Sequence, residues 1–221
     1  MNKYKVLIIG GNSRLAKSFE INFIKNKISY LKIMRSDFNY IHNKKKLIKL
    51  CVLHDFQFII NLSAIASYKK CELNKSEAYL VNSLFPFQLK RICEKNKINL
   101  IHISTDAVFS NLNNCELNNI NKIPNPKTIL GSSKLLGELL ISNSKYCIVL
   151  RLPMVYGEHI RDGYVYDNYI KLKNKKSVNA SKKVFCSPTN FKIVLSYVTE
   201  LILNKKIRIV EFSKEIIHLS D

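Results

Sequence analysis

Small residues at regular spacing follow the first apolar run of this chain, Lys5–Gly10. Gly10 and Gly11 open the turn, and Ser13 and Ala16 stand where the spacing G-x-x-G-x-x-G would place its second and third glycines. Glycines at such a turn let the backbone approach a pyrophosphate, which the N-terminus of the next helix attracts. The side chains of Ser13 and Ala16 leave less room for the backbone at this turn than glycines would. The turn therefore predicts a dinucleotide site, although an ordinary strand-to-helix turn carries the same glycine pair.

Arg35 and Ser36 follow the second apolar run, Tyr30–Met34. At this place an acidic side chain would bind the ribose 2′-hydroxyl of NAD, whereas an arginine accommodates the 2′-phosphate of NADP. Arg14, in the first turn, could assist. The residues thus predict NADP as the cofactor, with NAD as a possible substitute. A solvated arginine at a strand end is the alternative that needs no ligand.

These candidate residues can lie close together only if the strands that precede them end at the same edge of a sheet. Short apolar runs alternate with helical patterns along the chain. The predicted strands are Lys5–Gly10, Tyr30–Met34, Phe56–Ala64, Asn99–Thr105 and Tyr146–Leu152. The predicted helices are Arg14–Lys27, Lys44–Leu53, Ser76–Lys97 with a kink at Pro86, and Ile129–Ser142. This alternation predicts a Rossmann-type, doubly wound α/β fold with a parallel sheet, whose ligands bind beyond the carboxyl ends of the strands.

The overall composition limits the class of protein. The 221 residues, 47% of them apolar, fit one large domain or one domain with a small lobe. The six cysteines lack the spacing of a zinc site and predict reduced thiols in a cytoplasmic protein. No apolar run approaches the ~20 residues of a membrane span. The net charge of +20 is spread along the chain, which favours a lysine-rich surface over a nucleic-acid-binding segment.

Five further blocks carry a resemblance to known proteins. They are Phe58–Glu72, Ile98–Ser110, Pro124–Glu138, Leu150–Glu158 and Cys186–Asn190. Together they resemble the extended short-chain dehydrogenases/reductases, and among these the dTDP-4-dehydrorhamnose reductase family of sugar-nucleotide reductases. The specific blocks read HISTD-VF and G-SK-GE, whereas the glycine turn is not specific.

The resemblance implies roles for residues at the predicted cleft. Thr105 matches the catalytic hydroxyl, Lys134 matches the catalytic lysine that also holds the nicotinamide ribose, and Asn82 matches a supporting asparagine. The residues implied to contact the cofactor are Gly10, Asn12, Ser13, Arg14, Leu15, Arg35, Ser63, Ala64, Asn82, Lys134 and Pro153. In the family, hydride moves from the nicotinamide to a keto carbon, and a tyrosine four residues before the lysine protonates the oxyanion.

The chain departs from that pattern at the proton donor. Leu130 stands four residues before Lys134, and leucine has no proton to give. Without a replacement, the rate is expected to fall by about 10²–10⁴. Asp106 and Tyr68 are the alternative donors near the predicted cleft. A hydrogen-bonded carboxylate at a strand end would also explain Asp106.

Two classes of function follow from the resemblance and its departure. The first is an NADP-dependent reductase of a nucleotide-activated sugar in surface polysaccharide biosynthesis. The second is a catalytically silent dinucleotide- or sugar-nucleotide-binding protein, similar to the regulatory subunit of methionine adenosyltransferase. We expect residues 1–152 to form the dinucleotide-binding domain and residues 153–221 a truncated substrate-binding lobe, which a homodimer or a partner protein could complete. A nucleic-acid-binding protein is a third class that charge alone supports.

Overall fold

A parallel sheet with helices on both faces organises the chain. The computed structural model describes residues 5–109, 123–179 and 188–203, and the backbone of residues 216–218. The elements in chain order are β1 (Val6–Ile9), α1 (Ala16–Lys25), β2 (Tyr30–Ile33), α2 (Lys44–His54), β3 (Phe58–Asn61), α3 (Tyr68–Leu73), α4 (Lys75–Tyr79), a π-helical segment (Leu80–Leu84), α5 (Phe85–Asn96), β4 (Asn99–Thr105), a 3₁₀ turn (Asp106–Val108), α6 (Ile129–Ile141), β5 (Cys147–Leu152), β6 (Val155–Tyr156), α7 (Tyr164–Lys173), β7 (Thr189–Asn190), α8 (Phe191–Leu203) and β8 (Ile216–His218).

The main sheet has the strand order β2-β1-β3-β4-β5-β8, and every neighbouring pair is parallel. A second sheet consists of β6 and β7. Strand β2 pairs with one side of β1, and β3 pairs with the other side, so the strand order reverses at β1. In sheets of this kind, the crevice between two such strands receives ligands at the carboxyl ends. The predicted doubly wound α/β fold is confirmed.

Apolar side chains alternate between the two faces of each strand. On β1, Val6 and Ile8 pack in one core with Phe19 of α1 and Phe191 of α8. Leu7 and Ile9 pack in the opposite core with Phe85 and other residues of α2 and α5. Successive strand residues point to opposite faces, so a strand covered on both sides reads as a continuous apolar run. This burial explains why the strands were recognisable from the sequence.

The helical region before β4 differs from the single kinked helix that the sequence predicts. It is divided into α4, the π-helical segment and α5, and Pro86 lies in the first turn of α5. Proline has no N–H to donate to the carbonyl of Asn82, which disfavours a regular α-helical turn there. The N–H of Phe85 instead reaches back to the carbonyl of Leu80.

None of the described helices is long and apolar enough to cross a membrane.

The chain beyond β5 contributes to the same layered core. Phe191 of α8 packs edge-on against Phe19 of α1 at 5.5 Å between ring centroids. The Asn22 side-chain amide donates to the Thr199 hydroxyl at 2.5 Å. Strand β8 pairs with β5 at the edge of the main sheet. The division of the chain at residue 152 into a domain and a lobe stays a prediction.

The cysteines of the described residues are buried free thiols: Cys51, Cys71, Cys93 and Cys147. Burial raises the pKa of Cys51 and of Cys147 to about 12. Thiols held in the protonated form are poor nucleophiles, so these side chains act as small apolar packing groups. Cys115 and Cys186, also predicted to be reduced, lie outside the described residues.

Candidate functional site

The turn after β1 touches the end of β3. Gly10 has a φ of +85°, and a Cβ atom there would lie 2.7 Å from the backbone nitrogen of Ser63 and 2.8 Å from the carbonyl carbon of Leu62. Only glycine combines this backbone conformation with such a close approach. The glycine therefore sets the width of the crevice between β1 and β3.

The start of α1 offers backbone donors to the same crevice. The Ser13 hydroxyl accepts from the N–H of Leu15 at 3.1 Å, and the N–H of Ser13 donates to the Gly10 carbonyl at 2.8 Å. Within the described residues, the N–H groups of Asn12 and Arg14 have no hydrogen-bond partner. Open N–H groups at a helix N-terminus favour a phosphate. The side chain of Ser13 thus satisfies the N–H of Leu15 just before the helix, and the turn fits the pyrophosphate of a dinucleotide.

Two arginines lie at the edge of the crevice, each beside a carboxylate. Arg35 follows β2, and its Nη1 lies 3.4 Å from Oε1 of Glu77. Arg14 has its Nη1 3.8 Å from Oδ1 of Asp162 in the loop before α7. Both side chains are partly exposed and therefore accessible from solvent.

A buried polar chain lies behind the ends of β3 and β4. The Ser63 N–H donates to Oδ1 of Asn61 at 3.1 Å, and the Asn61 amide nitrogen lies 3.0 Å from Nδ1 of His102. Burial, followed by the charge of Lys134, lowers the pKa of His102 well below 6.5. The ring is therefore neutral, and because Nδ1 accepts from Asn61, Nε2 carries the proton. Within the described part of the chain, His102 Nε2 has no hydrogen-bond partner.

Asn82, in the π-helical segment, is completely buried. Its amide nitrogen donates to the carbonyl of Ile65 and to the Ser133 hydroxyl, both at 3.0 Å, and its amide oxygen accepts from the N–H of Ile65 at 2.9 Å. The side chain thus connects the loop after β3 with α6. The close approach of α6 requires Gly137, where a Cβ would lie 2.2 Å from the Asn82 carbonyl oxygen. Asn82 therefore has a positioning role, and its contact with a cofactor stays a prediction.

The hydroxyl of Thr105 lies at the carboxyl end of β4. Its Oγ1 accepts from the N–H of Ala107 at 3.2 Å and donates to Oδ1 of Asp106 at 3.1 Å. Thr105 is partly exposed, and Asp106 is exposed at the mouth of the cleft. Atoms packed around the Asp106 carboxyl desolvate it and raise its pKa, against the opposing effect of its hydrogen bonds. Thr105 is thus accessible to a substrate and already oriented.

Lys134 extends from α6 to the carboxyl end of β4. Its Nζ donates to the carbonyl of Ile103 at 2.8 Å, and the side chain is 4% exposed. Burial lowers the pKa of Lys134 from 10.5 to about 8, although the charges of Glu138 and Cys71 favour the protonated form. Lys134 and Thr105 therefore lie at the end of the same strand.

Leu130 occupies the turn of α6 before Lys134. It is 5% exposed and packs with Cys71 of α3 and Ala78 of α4. Ile65 and Ala107 border the same apolar cluster. Hydrocarbon thus fills the position at which the resemblance implied a tyrosine, and this side chain supplies no proton.

A buried ion pair behind the site escaped the sequence analysis. The Arg151 guanidinium of β5 binds both carboxylate oxygens of Glu138, one turn after Lys134, and the Ser104 hydroxyl also donates to Glu138. The available signal was the single charged residue in the apolar run CIVLRL. The network fixes α6 on β4 and β5.

The structure brings most of the predicted site residues to one edge of the sheet. Gly10, Asn12, Ser13, Arg14 and Leu15 follow β1, and Arg35 follows β2. Ser63 and Ala64 follow β3, Thr105 and Asp106 lie at the end of β4, Lys134 reaches β4 from α6, and Pro153 follows β5. The carboxyl ends of parallel strands meet at this edge, which is where ligands bind in open α/β sheets.

Comparisons with known proteins agree with this architecture. The family described as "RmlD substrate binding domain" matches residues 4–221. The "Probable low-salt glycan biosynthesis reductase Agl14" of Haloferax volcanii is 31% identical over 53% of this chain and 39% of its own length. The dTDP-4-dehydrorhamnose reductase of Aggregatibacter actinomycetemcomitans is 28% identical over 70% of this chain and 53% of its own length. The chain thus spans about half, or less, of these curated relatives.

A solved structure has the same fold. The dTDP-4-dehydrorhamnose reductase of Bacillus anthracis, determined in complex with NADP, superposes with a TM-score of 0.81 at 20% identity. The superposition covers 100% of this chain and 76% of the other. The family model matches nearly the whole chain, which establishes family membership. The chain belongs to the RmlD substrate-binding-domain family, a branch of the extended short-chain dehydrogenases/reductases.

Proposed function

We propose that this protein is a nicotinamide-dependent reductase of a nucleotide-activated sugar, of the dTDP-4-dehydrorhamnose reductase type, acting in surface polysaccharide biosynthesis. The observation that carries the proposal is that the Gly10 turn after β1 contacts the end of β3, while Thr105 lies at the end of β4, the next strand of the sheet. Lys134 of α6 reaches the same end of β4. The names of the relatives, a glycan biosynthesis reductase and a dTDP-4-dehydrorhamnose reductase, support the substrate class.

Each part of the crevice has a proposed task. The open N–H groups of Asn12 and Arg14 bind the pyrophosphate, and Arg35 binds the 2′-phosphate of NADP. Lys134 holds the nicotinamide ribose and Thr105 orients the sugar carbonyl. When bound, the cofactor supplies the hydride. NAD is a second cofactor, because Glu77 already offsets part of the Arg35 charge.

Binding and turnover test this proposal separately. The purified protein is titrated calorimetrically with NADPH and with NADH, and the Arg35→Ala variant is titrated in parallel. We expect tighter binding of NADPH and loss of that preference in the variant. The loaded protein is then mixed with dTDP-4-dehydrorhamnose while the NADPH absorbance is followed. Failure to bind either nucleotide would contradict the proposal at its first step.

A catalytically silent binding protein is the second candidate, and the apolar cluster around Leu130 favours it. Its test is the Leu130→Tyr variant, with Leu139→Tyr on an exposed position of the same helix as the matched control. A silent binder gains NADPH oxidation only in Leu130→Tyr. Turnover by the natural protein at a similar rate would exclude this candidate.

We propose further that residues 153–221 form the substrate-binding lobe and that the protein assembles with a second copy or with another protein. Sedimentation with and without NADPH and the sugar nucleotide measures the assembly state, and a monomer under all conditions would contradict a homodimer. The buried free thiols are typical of a reducing compartment and support a cytoplasmic location.

A further inference from the structure

Helix α3 lies against the N-terminal turn of α6, where the family's tyrosine is missing. The Glu72 carboxylate accepts from the backbone N–H of Ile129 at 3.0 Å. Cys71 packs on Leu130, and its Sγ donates to the carbonyl of Ile65 at 3.2 Å. Three contacts thus fix α3 between the loop after β3 and the start of α6.

Tyr68 is the first residue of α3 and stands three residues before Cys71. Residues three apart share a face of a helix, so Tyr68 continues the face that packs on α6 towards the mouth of the cleft. It is 55% exposed, which leaves its phenol accessible to a ligand. A side chain with a dissociable proton therefore stands one helical turn before Cys71, which packs on Leu130.

The surroundings of the phenol connect it with Thr105. Burial raises the pKa of Tyr68, and the negative charge of Asp106 raises it further. Asp106 in turn accepts from the Thr105 hydroxyl. The other titratable groups on α3 are Lys69, Lys70, Cys71 and Glu72. Those on the neighbouring helices α4 and α6 are Lys75, Glu77, Tyr79, Lys134 and Glu138. The phenol therefore remains protonated at neutral pH, within the electrostatic reach of the strand end that would orient the sugar carbonyl.

We propose that Tyr68 is the proton donor of the reduction, delivered from α3 in place of the tyrosine that α6 lacks. This inference rests on the proposed function. The Tyr68 hydroxyl gives its proton to the carbonyl oxygen of the keto sugar, whose carbon accepts the hydride and its electron pair from a dihydronicotinamide dinucleotide. The C–O π electrons move to that oxygen, the dihydronicotinamide is oxidised, and the Tyr68 phenolate recovers a proton from solvent.

Asp106 is the competing donor, and one of its carboxylate oxygens already accepts the Thr105 hydroxyl. Its remaining hydrogen bonds come from backbone N–H groups of Asp106 and Ala107. Bonds of this kind favour the charged form, but desolvation is the larger effect and raises the pKa of Asp106 overall. Tyr68 has no such bonds in the described residues and keeps its proton.

The test compares Tyr68→Phe with Tyr169→Phe, an exposed tyrosine of α7. NADPH-loaded protein is mixed rapidly with dTDP-4-dehydrorhamnose, and the single-turnover rate is measured. We expect Tyr68→Phe to lose about 10²-fold or more in rate with unchanged NADPH affinity, and Tyr169→Phe to retain the natural rate. Adding Leu130→Tyr to Tyr68→Phe should restore turnover, because only the donor was removed.

The pH dependence distinguishes the two donors. Asp106→Asn removes a negative charge beside Tyr68, so the alkaline limb of the rate profile should move to lower pH. Full loss of turnover in Asp106→Asn with an unchanged rate in Tyr68→Phe would assign the donor to Asp106 and overturn the inference. An unchanged single-turnover rate in Tyr68→Phe would overturn the inference alone, whereas a natural protein that binds NADPH without any turnover would contradict the proposed reductase as well. Absence of NADPH binding would instead contradict the proposed function.

Discussion

The Arg151 guanidinium lies 2.6 Å from the Glu138 carboxylate, measured from Nη2 to Oε2, and both side chains are buried between α6 and the sheet. The Cζ atom of Arg151 also lies 5.1 Å from the centre of the Phe109 ring. Glu138 follows Lys134 by four residues, so both stand on the same face of α6. The ion pair thereby holds the lysine at the end of β4.

Breaking this pair on one side should destabilise the fold strongly. In Glu138→Gln the Arg151 charge stays buried without its counter-charge, which costs about 3–5 kcal/mol in the free energy of unfolding. Chemical denaturation measures the loss. Glu94→Gln, at the partly exposed end of the Lys90 pair, is the matched control and should cost less than about 1 kcal/mol. Equal losses in the two variants would contradict a structural role for the buried pair.

Substitution of Gly10 should damage both stability and dinucleotide binding. A methyl group at this position meets the backbone of Leu62 and Ser63 and also disfavours the positive φ. We expect Gly10→Ala to lose about 1–3 kcal/mol in unfolding free energy and to bind NADPH more weakly. In Gly157→Ala the nearest atom to the new Cβ is 3.4 Å away, so this variant is the control. An unchanged melting temperature in Gly10→Ala would contradict the close contact.

The Arg35–Glu77 pair should tune the choice between NADPH and NADH. Glu77→Gln removes the carboxylate that competes with the 2′-phosphate for Arg35. The affinity ratio should shift towards NADPH by up to about fivefold, because a partly exposed pair contributes no more than about 1 kcal/mol. Calorimetric titration of both nucleotides measures the ratio. The same substitution in an Arg35→Ala background should have no effect, and a shift there would place Glu77 in direct contact with the cofactor.

The buried Lys134 should make stability depend on alkaline pH. Between about pH 8 and pH 10.5 the unfolded chain keeps a proton that the folded chain has lost, so this group raises the unfolding free energy with pH, by roughly 3 kcal/mol in all. Cys51 and Cys147 act in the opposite direction above pH 9, since their folded-state pKa is raised to about 12. The stability difference between the natural protein and Lys134→Met isolates the lysine, and parallel pH curves would contradict it.

Local patterns determined the framework of this protein. Strands β1 and β4 are recognisable because burial on both faces demands continuous apolar runs, and β4 begins and ends at the predicted residues. The carboxyl ends of parallel strands lie at one edge, so Gly10, Thr105 and Arg35 could be placed near each other without coordinates. The absence of a tyrosine at Leu130 is likewise a property of the sequence alone.

Tertiary structure decided which side chains compete for these candidate ligand-binding groups. The partner of Arg35 lies 42 positions away at Glu77, and the partners of Asn82 lie at Ile65 and Ser133. The buried His102 and the Glu138–Arg151 pair depend on how closely helices pack on the sheet. Such contacts depend on distances between elements that are remote in the chain, and periodicity and spacing carry no record of them. The sequence could therefore locate the crevice, whereas only packing could show that α3 holds Cys71 against Leu130 and Glu72 against the N–H of Ile129.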